Sequence, residues 1–125
     1  MRIISWNVQG TKKAQALQEI LFLKCTHKPQ LMFLLETLVN KANILDILPK
    51  MGFEHFDYVE PINHSGGLAV LWDNGAIHAS VLKKEQRALH MLVYDTSKKY
   101  SSIVSGIYAR PKTKIKTIFG TNYCN

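Results

Sequence analysis

The chain has 125 residues, 46% hydrophobic and 20% charged, which fits a single globular domain and excludes a disordered polyelectrolyte. Leu31–Leu35 and Gly67–Trp72 fall far short of the roughly 18 apolar residues of a membrane span, and Asn7, Gln9 and Lys12 interrupt any secretory leader, so neither insertion nor secretion is expected. Sixteen Lys and Arg against nine Asp and Glu leave a charge of +7, which favours polyanionic partners such as nucleic acid, while Cys25 and Cys124 alone form neither a disulfide framework nor a four-ligand zinc site.

Arg2–Asn7 is a β-branched and aromatic run stopped by Gln9-Gly10, the pattern of a buried strand feeding a turn. Ala14, Leu17, Ile20, Leu21 and Leu23 then recur at helical spacing, predicting a helix over Thr11–Thr26 with Thr11 as N-cap and Pro29 beyond its end. Leu31–Leu35 is unbroken and apolar, as in a strand covered on both faces. A second helix is predicted from Val39 to Leu48, stopped by Pro49 and Gly52.

The pattern changes from Phe53 onward. Phe53–Val59, Gly67–Trp72, Ala76–Leu82, Ala88–Tyr94 and Ser102–Tyr108 read as strands separated by turn signals such as Asp73-Asn74-Gly75 and Asp95-Thr96-Ser97. Two early helices followed by a strand-rich meander predict an α/β (α+β) layered sandwich. Lys112–Asn125 carries Lys112, Lys114 and Lys116 in alternation but supports no assigned element, and the chain reads there as interrupted.

Polar residues close three of the hydrophobic strands: Asn7 the first, Glu36 the second, Tyr108 with Arg110 the last. Strand ends hold side chains rigidly over a cleft. A carboxylate there suits Mg²⁺, and an amide or phenol can bond a phosphate or orient water. Each residue also has a plainer explanation. Asn7 suits a turn before Gly10, Glu36 a solvated strand end or first helical turn, and Tyr108 with Arg110 an amphipathic sheet edge.

Four segments in order carry a resemblance: Ser5-Trp6-Asn7-Val8-Gln9-Gly10, Leu34-Leu35-Glu36-Thr37, Ser65-Gly66-Gly67-Leu68-Ala69-Val70-Leu71-Trp72 and Tyr108-Ala109-Arg110-Pro111. Together they resemble the endonuclease/exonuclease/phosphatase (DNase I-like) family, and within it the endonuclease domain of plant LINE-type retrotransposons. The likeness covers about residues 1–111 of one partial domain and leaves 112–125 outside it. It implies a DNase I-like layered α/β sandwich, truncated to roughly its first sheet and two helices.

That resemblance implies Glu36 as the ligand of Mg²⁺, with Mn²⁺ as a substitute, Asn7 as an active-site amide and Tyr108 as a phenol contacting phosphate. Arg110 would add a charge-assisted substrate contact. The implied reaction is phosphodiester hydrolysis, with nucleic acid as partner, DNA ahead of RNA, no membrane, and an intracellular, nuclear location. The family's Gly-Asp-x-Asn and Ser-Asp-His elements do not occur in these residues, so the general base and second acidic group are missing, and inactivity of this chain is expected. His64, before Ser65, is a candidate base set against a solvated loop residue. The glycines of Ser65-Gly66-Gly67 suit a tight hairpin. A lone sheet would expose its inner apolar face, so self-association through that face is also expected. The readings are therefore the first part of a Mg²⁺-dependent endonuclease, an inactive retroelement remnant, or a basic nucleic-acid-binding module.

Overall fold

A computed structural model describes residues 1–11, 14–62 and 65–109 of the chain. Strand β1 (Ile3–Asn7), helix α1 (Ala14–His27) and strand β2 (Leu31–Leu35) form the opening unit. β1 and β2 are parallel, in register from Ile3 against Leu31 to Asn7 against Leu35. α1 turns Ala16 and Ile20 inward and carries Lys24 and His27 in its last turn, where cations suit the helix dipole. Thr11, expected to cap this helix, binds elsewhere among the described residues. Its N–H (3.0 Å) and hydroxyl (3.2 Å) both donate to the carbonyl of Thr37, which ties the loop after β1 to the loop after β2.

Helix α2 (Lys41–Ile47) is capped by Asn40, whose Oδ1 accepts the Asn43 N–H at 3.1 Å. Pro49 does not stop the chain's helical path. It sits in the first turn of a 3-10 segment, Leu48–Met51, where its missing N–H has no partner to lose. Gly52 ends that segment in the left-handed region (φ 81).

Strands β3 (His55–Val59) and β4 (Leu68–Trp72) complete a four-stranded sheet in the order β1-β2-β4-β3. β2 and β4 are buried at every position because both faces of the sheet are covered. Met32, Leu34, Ala69 and Leu71 meet the helical layer through Ile20, Ile44, Leu48 and Met51. Leu31, Phe33, Leu35, Leu68, Val70 and Trp72 face the other way. Such side chains each contribute about 1.5–3 kcal/mol on full burial.

Strands β5 (Ile77–Glu85), β6 (Ala88–Asp95) and β7 (Tyr100–Ile107) form a second, antiparallel sheet. Ile77, Leu89, Met91, Val93 and Val104 on its inner face close over the first sheet's inner face. The layered α/β class expected from the sequence is the one observed, with one detail changed. The chain holds strands of two sheets, so the inner face expected to be bare is covered and is no surface for self-association. Exposed apolar side chains lie elsewhere, on the outer face of the second sheet: Leu92, Tyr94, Ile103 and Ile107. No helix among the described residues is long and apolar enough to cross a membrane.

Candidate active site at one end of the two sheets

The C-terminal ends of β1, β2, β3, β5 and β7 and the N-terminal ends of β4 and β6 gather at one end of the sandwich. Asn7, the last residue of β1, is registered with Leu35, one residue before Glu36. The two loops then run on together. Val8 N–H donates to the Leu35 carbonyl (3.0 Å) and Gly10 N–H to the Glu36 carbonyl (2.9 Å). Asn7 is exposed, and its Oδ1 accepts the Gln9 N–H at 3.2 Å, leaving its second lone pair for another partner.

Glu36 is half-buried, and its backbone lies in the left-handed region (φ 63). L residues adopt that conformation rarely, so surrounding bonds must hold it. They come from the turn before β4. Glu36 N–H (2.9 Å) and Thr37 N–H (3.2 Å) both donate to the Gly67 carbonyl, and Leu38 N–H donates to that of Gly66 (3.0 Å). The glycines are thus required by close approach as well as by turn geometry. A Cβ on Gly67 would strike the Thr37 hydroxyl, and one on Gly66 would lie 3.2 Å from the Tyr108 ring.

Tyr108 follows β7, is 6% exposed, and donates its N–H to the Arg87 carbonyl at 2.9 Å. Glu36, through its backbone N–H, and Tyr108, through its ring, therefore both meet the Gly66–Gly67 turn, while Asn7 lies at the same end of the sheet on the edge strand beyond β2. Arg110 and His64 lie outside the described residues, as do Cys124 and the whole segment 110–125.

Arg87 and Gln86 were not foreseen as site residues. They occupy the two-residue tip of the β5–β6 hairpin, and with Glu60, Gly66, Gly67 and Tyr108 they line a recess of about 30 Å³. A basic residue at a hairpin tip was the available signal, but the sequence does not say where the tip lies. The recess opens toward a wider trough of about 480 Å³ along β3 and β5, bordered by Lys41, Tyr58, Glu60, Lys84, Glu85 and Gln86. Lys84 pairs with Asp57 at 2.9 Å and stands 5.4 Å from the Tyr58 ring centre, within cation–π range.

On the outer face of the second sheet, His90 joins Ser105 (Nδ1 to Oγ, 2.7 Å) and Glu85 (Nε2 to Oε1, 2.6 Å). The His90 hydrogen bond, helped by the charge of Lys83, holds the Glu85 carboxyl below its ordinary value. This trio lies across the outer face of three strands, with Glu85 at the hairpin end that also borders the trough.

The oxygen donors at the converging end suit a hard cation. Mg²⁺ is commonly held by one or two carboxylates with phosphate oxygens and water filling the remaining positions. Glu36 offers the carboxylate and Asn7 an amide oxygen. Among the described residues, no group of three or more His, Cys, Asp or Glu side chains converges on one point.

No protein-family model matches the chain. No curated protein matches it either. Among solved structures it is similar to the AP endonuclease LMAP from Leishmania major, with a TM-score of 0.62 and 20% identity. The similarity covers 85% of this chain and 39% of that one, so the chain spans well under half of its neighbour's length. At this identity the likeness concerns the fold alone, the layered α/β sandwich expected from the sequence.

Proposed function

We propose that this chain carries the phosphate-facing end of a divalent-metal-dependent phosphodiesterase acting on nucleic acid, DNA ahead of RNA. The observation that carries the reading is that the Glu36 backbone and the Tyr108 ring meet on the Gly66–Gly67 turn, with Asn7 at the same end of the sheet. The endonuclease neighbour supports a nucleic-acid substrate, and a charge of +7 suits a polyanion. The retroelement origin and nuclear location implied by the sequence likeness belong to the same proposal.

Glu36, with Asn7 beside it, would hold Mg²⁺ or Mn²⁺, which when bound neutralises phosphate oxygens and the charge developing on the leaving oxygen. The chain's own groups have separate tasks. The Asn7 amide orients a phosphate oxygen or water through its N–H₂ donors. Arg87 presents a fixed cation beside Tyr108, and Arg110 a second basic side chain two residues further on. The Tyr108 phenol, carried on a nearly buried ring, donates to a phosphate oxygen without loss of much side-chain freedom.

Nicking of supercoiled plasmid tests the assignment. In a Mg²⁺-supported reaction, Glu36→Ala is expected to lower cleavage at least ~100-fold and leave binding to the same DNA within about twofold. Mg²⁺-dependent cleavage that survives the substitution would overturn the site. A second reading, binding without cleavage, is favoured by Glu36 standing without a cluster of further acidic or histidine ligands among the described residues. It predicts that Glu36→Ala leaves affinity unchanged or slightly higher, with no cleavage by either protein.

A further inference from the structure

We propose that Gly66 and Gly67 form a positioning joint that couples Glu36 to Tyr108, so that a change at the joint reaches both side chains. The inference rests on the reading of those two residues given above. Three successive amides, those of Glu36, Thr37 and Leu38, hang on two successive carbonyls, Gly67 and Gly66. The tract they anchor contains two non-glycine residues in the left-handed region, Glu36 (φ 63) and Leu38 (φ 59). Left alone, such a backbone would relax toward ordinary extended or helical angles. On its far side, the Glu36 carbonyl accepts from Gly10, and the Thr37 carbonyl accepts from the N–H and hydroxyl of Thr11. The Glu36 segment is thus clamped from both sides, and the glycine side is the one that also touches Tyr108.

Positive φ favours glycine at both positions (80 at Gly66, 93 at Gly67), and the contacts add a clash at Gly67 and a tight fit at Gly66. Thr37, 1% exposed, puts its hydroxyl where a Gly67 side chain would be, so any Cβ there must displace the Thr37 side chain, which is followed directly by the Leu38 amide bonded to Gly66. The Tyr108 ring lies over Gly66, with Cε2 at 3.2 Å and Cδ2 at 3.4 Å from the position of a Cβ. Tyr108 is otherwise fixed through its N–H to Arg87, which belongs to the second sheet. The two glycines are therefore the described contact that ties the Glu36 loop of the first sheet to the aromatic residue of the second. Neither glycine touches substrate in this scheme; both act through the residues they hold.

The full 125-residue chain, as wild type and as Gly66→Ala, Gly67→Ala and Gly75→Ala, would be compared by NMR. Gly75→Ala is the control, because Gly75 also has positive φ (144) but nothing near its Cβ position. Two readouts are needed: hydrogen exchange at the Glu36–Leu38 amides with the Tyr108 ring shifts, and paramagnetic broadening of the Glu36 amide by added Mn²⁺. Gly67→Ala is expected to speed exchange at those amides about tenfold relative to β2, to shift the Tyr108 ring, and to weaken Mn²⁺ about tenfold. Gly66→Ala should shift the ring first and the Glu36 amide with it, and Gly75→Ala should move neither. Thr37→Ala placed on Gly67→Ala removes the obstructing hydroxyl and should restore part of the Mn²⁺ response; this pair also serves if Gly67→Ala alone folds poorly. Tyr108 and Glu36 responding independently of each other would overturn the coupling. If the variants show the exchange and ring responses but Mn²⁺ leaves the wild-type Glu36 amide unchanged, the metal reading fails and the joint stands.

Discussion

One oxygen of Asp95 accepts three hydrogen bonds: the Ser97 N–H (3.0 Å), the Ser97 hydroxyl (2.8 Å) and the Lys98 N–H (3.0 Å). The bond from Lys98, followed by the Ser97 hydroxyl, holds its carboxyl below the ordinary aspartate value. A group whose pKa is lower folded than unfolded stabilises the protein above its unfolded value, near 4, and loses that contribution as pH falls through the folded one. Asp95→Ala should therefore melt a few degrees lower at pH 7, with the difference from wild type shrinking as the pH falls below about 4. Thermal unfolding followed from pH 7 to pH 2 checks it; a constant difference across the range would be contrary. The same residue scale shows what a sequence can and cannot disclose. The placement of Asn7, Glu36 and Tyr108 at strand ends was legible because each closes an apolar run. Arg87 was unseen because its role depends on which loops approach one another. The bond of the Thr11 hydroxyl to the Thr37 carbonyl was unseen for the same reason.

Among the strands, burial patterns explain why elements were easier to read than their arrangement. All nine predicted helices and strands are present with small shifts at their ends. β2 and β4, apolar at every position, announce two covered faces, whereas β6 alternates and announces one. Alternation says that a face is buried and leaves open what buries it, so β5–β7 were not recognised as a separate sheet. One close approach between the sheets depends on a residue without a side chain. Gly106 on β7 lies against the Phe33 ring of β2, and a Cβ added there would run into that ring. Gly106→Val should destabilise by about 1–3 kcal/mol through overpacking, and Phe33→Ala by about 3–5 kcal/mol through the cavity it leaves. The combined Gly106→Val/Phe33→Ala variant should lose less than the sum, because the smaller side chain yields room to the larger one. Urea unfolding of the four proteins measures this directly. Simple additivity would mean that the two residues do not share the space the structure gives them.

Across the whole molecule, charge and apolar surface are distributed unevenly, and this separates two kinds of association. The chain carries +7 overall, yet the outer face of β5–β7 presents Leu92 paired with Ile103, together with Tyr94 and Ile107, and the hydroxyls of Ser80, Ser101 and Ser105. Ile103 is 63% exposed. Its charged members are few: Lys83 and Glu85 on β5, besides the histidines at 78 and 90. Three strands spaced about 4.8 Å apart and about 27 Å long give a footprint near 400 Å², so two such faces would bury on the order of 800 Å². Stable interfaces bury about 1,200–2,000 Å². Self-association through this face should therefore be weak, visible only at high concentration, and opposed at low salt by repulsion between two basic molecules. Nucleic-acid binding should respond in the opposite sense, because each neutralised phosphate releases counterions that added salt makes harder to release. Raising salt from about 50 to 500 mM should then weaken DNA binding at least ~100-fold while preserving or strengthening any dimer seen by sedimentation. Ile103→Lys should reduce the dimer and leave DNA affinity within about threefold, since it adds charge to a face remote from the Gly66–Gly67 turn. A dimer that dissolves with salt in parallel with DNA binding would place both on the basic surface and remove the apolar face from the explanation.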